Sequence, residues 1–426
     1  TIREETGPVR ARLIMAPVVS PDGGTLAFSA LGRLYRMRLD GHATPVPFAP
    51  GGDPAFQPSW SPDGKSLVWV RWSERDGGAI WSAPVDGSAP PRKLSDLPAY
   101  YSYPVFTPDG RHILAVRSGQ QARLDLYMEY GKLRQAELVA IPAAGGPARV
   151  VTSGMIGGRP HFAADPGTAY ILADDGLDAV DLATGARRLQ VLVKGPGWYF
   201  QDGAVPVDDA RVSPDGRWLL AQVSQQLHVV AMPAPGGTVD LSDPHLPHRR
   251  VSASGADYFE WSADGKNIDW STGSTFHTRS LASVRLNPAD RPDWTADAPT
   301  GETDFRADVE MPRAIPQGRL LLRGARVLTM APGDPVIEQG DILIENGRFA
   351  AVGPTGSLSV PPDTTIRDVR GKTILPGFID THDHIATVRR DVLGLEDWGL
   401  RARLAYGVTT SFDPSTLTID MLAYQD

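Results

Sequence analysis

The stretch Gly371–His384 reads GKTILPGFIDTHDH and ends a short apolar run on two histidines one residue apart. Residues i and i+2 of a strand share a face. His382 and His384 therefore project together, and Asp383 takes the opposite side. Neutral imidazole is a common ligand of zinc, and manganese or iron also suits it. Two imidazoles do not complete a metal site, so further ligands must come from elsewhere. Taken alone, an HxH pair reads equally as a solvated or core pair, and its surroundings carry the metal reading.

Those surroundings are a set of short elements. Pro376 and Gly377 fix the approach to a strand beginning at Phe378. Residues 396–406, EDWGLRARLAY, suit a helix with Leu400, Leu404 and Ala405 on one side and Gly407 as its C-terminal cap. VTTSF follows as a second strand and stops at Asp413 and Pro414. The order strand, helix, strand opens a β/α barrel or a doubly wound sheet. A barrel takes about 250 residues, so residues 376–426 are expected to be its first two strands only. The remainder is expected from a partner chain or a missing segment.

Ahead of this piece, residues 318–375 alternate as short strands, with Asn346-Gly347 as a hairpin turn. They are expected to form a small composite β domain. Residues 287–317 are rich in Pro, Asp and Thr and read as a linker. Residues 1–286 repeat one phrase: SPDGGTLAF at Ser20, SPDGKSLVW at Ser61, TPDGRHILAV at Thr107, a worn AADPGTAYILA at Ala163, SPDGRWLLA at Ser213 and SADGKNIDW at Ser262. The spacing is roughly 41 to 56 residues, and each copy is a turn followed by a strand. Six such phrases predict a six-bladed β-propeller. The tryptophans near the turns, Trp60, Trp69, Trp81, Trp218, Trp261 and Trp270, are expected to pack between blades. His277 follows the last phrase and is a candidate for the propeller mouth and for substrate contact.

Composition bounds the alternatives. The chain has 426 residues, 41% hydrophobic and 22% charged, which allows two or three folded domains. The formal charge of -8 gives no support for a nucleic-acid partner. No apolar run reaches the roughly 20 residues of a membrane span, so no membrane insertion is expected. With no cysteine, disulfides and thiolate metal sites are excluded. Thr1 in place of Met fits a removed leader or a trimmed chain.

Two resemblances extend these readings. The phrases over residues 8–285 resemble TolB-like six-bladed propellers, which implies a binding or gating module without catalytic residues. LPGFIDTHDH resembles the start of the catalytic domain of the amidohydrolase superfamily, and AYGVTTSFD, Ala405–Asp413, looks like that family's second helix and strand. The fold class implied is multidomain: propeller, composite β-sandwich and the start of a (β/α)8 TIM barrel. The resemblance implies that His382 and His384 bind the more buried metal of a one- or two-zinc centre. It implies that Asp380 supports that site or braces the strand end. Asp383 is expected to be structural. Asp413 either shapes the pocket and touches substrate or caps a helix. The remaining ligands and the general base are expected beyond Asp426.

The implied reaction is metal-assisted hydrolysis of amide-type C–N bonds in small, cyclic or short peptide substrates, gated by the propeller. This chain alone is then expected to be inactive. The alternative is a non-catalytic propeller module with a barrel remnant. A serine hydrolase of the prolyl-oligopeptidase kind needs a GxSxG elbow, and none is present. A bacterial periplasmic or secreted location is favoured, and a homo-oligomer is compatible with the sequence.

Overall fold

A computed structural model describes residues 7–41, 43–52, 54–119, 133–174, 176–197, 203–287, 301–333, 336–383, 392–394, 398–414 and 422. The chain divides into two compact units. One comprises residues 10–309, 386–397 and 416–426; the other comprises 1–9, 310–385 and 398–415.

The larger unit is built on the repeated phrase. In each full copy the Ser or Thr hydroxyl donates to the Asp two positions on. This bond spans 2.6–2.8 Å at Ser61, Thr107, Ser213 and Ser262, and Ser20 makes it to Asp22. The same carboxylate accepts the backbone N–H two residues further on, at 3.0–3.1 Å. The hydroxyl oxygen accepts the N–H that starts the next strand, at 2.9–3.1 Å. The glycine sits at φ 68–76°, a region costly for other residues. The bond from the hydroxyl holds Asp22, Asp63 and Asp109 below the usual carboxylate range.

Successive repeats interlock. Trp60 Nε1 donates to the carbonyl of Val18 at 3.1 Å, and Trp261 Nε1 donates to that of Arg211 at the same distance. Each acceptor lies two residues before its own phrase. A Cβ on Gly64 would lie 3.6 Å from Pro21, and one on Gly110 3.9 Å from Pro62, so each turn approaches the proline before it. Trp69, Phe28, Phe56, Tyr101 and Phe276 are fully buried. Val392 and Leu393 are buried in the cluster that holds Phe56 and Tyr101.

Antiparallel four-stranded sheets run over Met15–Phe48, Ala55–Lys93, Asp209–Arg250 and Tyr258–Arg306. Between Tyr100 and Pro206 the pairing does not divide. The 14-residue strand Arg149–Phe162 pairs over Arg149–Ile156 with the strand Leu133–Pro142 and over Gly157–Phe162 with the strand Thr168–Leu172. One nine-stranded sheet results, and Gly237–Asp240 joins it in parallel against Arg187–Pro196. The expected six-bladed propeller is corrected accordingly. The described sheets are open, and no closed propeller is seen among the described residues. Alternation and turn chemistry specify strands and hairpins, but they do not specify which sheet a long strand ends in.

The smaller unit also departs from expectation. The composite sandwich is replaced by one five-stranded mixed sheet. Its central strand Arg319–Val327 pairs antiparallel with Ile337–Glu345 and parallel with Thr365–Asp368 and Thr373–Ile374. Asn346 at φ 50° and Gly347 at φ 77° turn the hairpin between Ile337–Glu345 and Arg348–Pro354. The expected barrel start is corrected to a two-stranded parallel pair, Phe378–Asp380 with Val408–Ser411. The helix Trp398–Ala405 lies between them in sequence and is the only α-helix whose bounds fall within the described residues. No TIM-barrel architecture is seen among the described residues. Within the stretch read as a linker, 287–317, Glu302–Arg306 is a strand paired with Thr275–Ser280. It pairs antiparallel along that strand's edge, from Glu302 opposite Arg279 to Arg306 opposite Thr275.

Candidate functional site

The polar strand end is assembled by backbone bonds. Phe378 N–H donates to the carbonyl of Gly407 at 2.8 Å, and Phe412 N–H donates to that of Asp380 at 2.9 Å. Asp383 N–H then donates to the Phe412 carbonyl at 2.9 Å. Gly377 is required here because any Cβ would collide with the side chain of Thr409. Gly407, at φ 87°, ends the helix and starts the second strand.

Asp380 is exposed, and its Oδ1 accepts the N–H of His382 at 3.0 Å. That bond shapes the turn by which the chain leaves the strand. His382 is exposed at this turn. His384 lies outside the described residues. Asp383 is buried and bound to the helix: Arg403 Nη2 donates to its Oδ1 at 2.8 Å, and Arg403 Nε lies 2.6 Å from Oδ2. The Arg403 bond holds Asp383 below the usual carboxylate range, while the nearby charge of Asp413 opposes this. Asp413 is half-buried just past the second strand. Asp380, His382, Asp383 and Asp413 thus gather at one end of the parallel pair. Arg403 was missed by sequence reasoning. Its signal was a guanidinium between the apolar positions Leu400 and Leu404, where a buried acid is the natural partner.

A second cluster lies in the larger unit. His277 faces Asp304 across the strand pair Thr275–Ser280 and Glu302–Arg306. Its Nδ1 is 2.8 Å from Asp304 Oδ1, and its ring stacks on Trp270 at 5.2 Å between centroids. Glu302 is half-buried, and burial pushes its carboxyl up. One ligand atom from each of His277, Glu302 and Asp304 lies within 4.8 Å of the others, so the cluster is capable of coordinating a metal. An imidazole with two carboxylates suits zinc, manganese or iron. An ion would have to replace the His277–Asp304 hydrogen bond. Glu302 and Asp304 escaped sequence reasoning because they fall in the stretch read as a linker. Their alternation, two acids on one face of ETDFR, was the signal.

No family model matches the chain. Curated proteins match short parts of it. It is 44% identical over 69 residues to the 5-methylthioadenosine/S-adenosylhomocysteine deaminase of Desulforamulus reducens, covering 16% of each protein. It is 38% identical over 104 residues to the dihydropyrimidinase of Rattus norvegicus, covering 23% of this chain and 19% of that one. The chain spans less than a fifth of the length of these relatives, and the similarity to amidohydrolase-superfamily enzymes is distant and partial. Among solved structures, TolB from Acinetobacter baumannii aligns at a TM-score of 0.42 and 15% identity, over 66% of this chain and 62% of that one. The expected fusion of a TolB-like propeller to an amidohydrolase barrel is corrected: the curated matches are partial, and neither a closed propeller nor a barrel start is seen among the described residues. No helix among the described residues is long and apolar enough to cross a membrane, which says nothing of a β-barrel.

Proposed function

We propose that the strand end at Asp380–His384 is part of a metal-dependent hydrolase site for amide-type C–N bonds, with His382 and His384 as two of its metal ligands. The observation that carries this reading is the placement of His382. It lies two residues past a strand whose end is tied to the second strand and, through Asp383 and Arg403, to the helix. The partial similarity to a deaminase and a dihydropyrimidinase supports the same chemistry.

The donor set fits the metal. Asp380 is engaged with the turn and Asp383 with Arg403, which leaves the imidazoles as the ligating groups of this stretch. Zinc, as one or two ions, is the metal of choice for them, with manganese or iron as substitutes. Such an ion, when bound, supplies Lewis acidity that acidifies a water and polarises a carbonyl. This chain's residues hold and orient. Asp380 fixes the backbone at His382, Asp383 anchors the turn, and Asp413 borders the space where substrate enters. Further ligands come from additional polypeptide, and the substrate is a small, cyclic or short peptide amide. A bacterial periplasmic or secreted setting accords with this reading.

Metal content of the purified 426-residue chain tests it, with His382→Asn, His384→Asn and His277→Asn beside it. Zinc binding should weaken at least about tenfold in the first two variants and stay unchanged in the third. If the affinity for added zinc is unchanged in both strand-end variants, or falls only with His277→Asn, the assignment to the strand end fails and the non-catalytic binding module is the better account.

A further inference from the structure

The larger unit holds a cavity of about 360 Å³ that none of the sites above uses. Its walls are aromatic and proline-rich, including Trp60, Phe106, Phe162, Tyr258 and Trp261. Arg159, His161, Glu260, Asp269 and the hydroxyls of Ser59, Ser61 and Ser262 supply its polar groups, and burial pushes the Asp269 carboxyl up to about 7. Ligand cavities have this composition: an apolar lining and a few convergent polar groups.

The charges in it and just behind its wall are unevenly matched. Arg211 is committed: its Nη1 and Nη2 donate to the two oxygens of Asp209 at 2.6 and 2.9 Å. Arg159 is not. Its side chain is 20% exposed, and Nη2 donates to Ser59 Oγ at 2.9 Å. Its Nη1 stands 3.7 Å from Glu260 Oε2, beyond hydrogen-bonding distance. The same Glu260 oxygen is 3.5 Å from Arg211 Nε, a buried donor without a hydrogen-bond partner. Glu260 thus lies between two guanidiniums and hydrogen-bonds neither, while its Oε1 accepts the N–H of Trp261 at 3.2 Å. His161 adds no charge. Its Nε2 accepts the Val212 N–H at 2.8 Å, and burial pulls its pKa down to about 3.

Arg159 therefore presents a largely buried guanidinium, hydrogen-bonded to Ser59 and 3.7 Å from Glu260, in the wall of a cavity with aromatic, proline and polar groups. A guanidinium fork matches a carboxylate bidentately. We infer that this cavity binds a carboxylate carried on an apolar body, with Arg159 as its receptor and Ser59 as the group that orients it. The Glu260 carboxylate then answers Arg211 Nε. The ligand's source is either a small free acid or the C-terminal carboxylate of a peptide.

Titration calorimetry of the full 426-residue chain separates these. The probes are 3-phenylpropionate, N-acetyl-Ala-Phe with a free carboxylate, and N-acetyl-Ala-Phe amide. Saturable binding of at least one acid is expected, with the amide at least tenfold weaker. Tighter binding of the peptide acid than of 3-phenylpropionate identifies a peptide terminus, and the reverse identifies a small acid. Arg159→Gln should weaken the acid at least tenfold. Ser59→Ala, which keeps the charge, should weaken it severalfold and carries the test if Arg159→Gln does not fold. Absence of saturable binding of both acids, equal affinity for acid and amide, or undiminished affinity in both variants would overturn the inference. The site uses neither His382 nor His384, so its outcome is separate from that of the hydrolase reading.

Discussion

In the larger unit the bulkiest side chains are the best hidden. Trp69, Phe28 and Phe56 are 0% exposed, and turn after turn is closed by the same hydroxyl–carboxylate bond. In the smaller unit the bulkiest are the least hidden. Tyr406 is 83% exposed, Trp398 70%, Ile379 66% and Leu404 64%, and its one hydrophobic cluster holds four buried residues: Ala325, Val327, Ile342 and Val369. The larger unit therefore draws stability from packing. The smaller unit's strand end is held by backbone bonds and one ion pair. The histidine pair proposed for chemistry belongs to the less covered unit, so stability and the proposed reaction reside in different parts of the chain.

The sharpest test of this contrast is Trp69→Ala. Deleting a fully buried indole should cost about 3–5 kcal/mol, read by urea denaturation of the full chain. A loss below about 1 kcal/mol would mean that the larger unit is not held by its core.

Asp269 should contribute the next largest effect. It is 5% exposed, and burial pushes its carboxyl up to about 7 even though Thr278 donates to it at 2.6 Å. The folded state then binds a proton that the unfolded chain has released, so this residue weakens the fold as pH rises from about 4 to 7, by roughly 4 kcal/mol at most. His161 and His228 act oppositely. Burial pulls each down to about 3, so the stability of keeping them neutral is full above pH 6.5 and is lost as pH falls towards 3. Asp269→Asn should therefore leave stability that only rises between pH 4 and 7. An unchanged pH profile in that variant would show that Asp269 titrates normally.

These groups show where sequence reasoning stops. Ser61, Asp63 and Gly64 were legible as a turn because each acts within a few residues of its partner. The same holds for Asn346-Gly347. Assembly was not legible. Arg149–Phe162 reads as strand in any fold, and only its two neighbours make it the middle of a nine-stranded sheet. The site was legible in part for the same reason. His382 stands out by local spacing, whereas Arg403 meets Asp383 and Glu302 meets His277 across 20 and 25 positions. Arg159 meets Ser59 across 100.

Within the smaller unit, Asp383→Asn should cost about 1–3 kcal/mol, because it leaves the Arg403 guanidinium without its charged acceptor. The Arg403 bond lowers the pKa of Asp383, so its contribution is present above about pH 4 and is lost as pH falls below that. Amide hydrogen exchange at Asp380–Asp383 should accelerate in the variant while the larger unit is unaffected. Exchange that accelerates equally in both units would contradict a local role for the Asp383–Arg403 pair.

The smallest expected effect tests the contrast from the other side. The helix Trp398–Ala405 buries none of its residues, and Leu404 is 64% exposed. An exposed leucine gives up little apolar contact when truncated, and alanine favours the helix slightly more. Leu404→Ala should therefore change stability by no more than about 0.5 kcal/mol. A cost of about 2 kcal/mol or more would mean that this face is covered in solution. Repeating the measurement over a hundredfold range of protein concentration then identifies the cover. A cost that grows with concentration points to a second copy of this chain, because association stabilises by mass action. A cost independent of concentration places the contact within the chain itself.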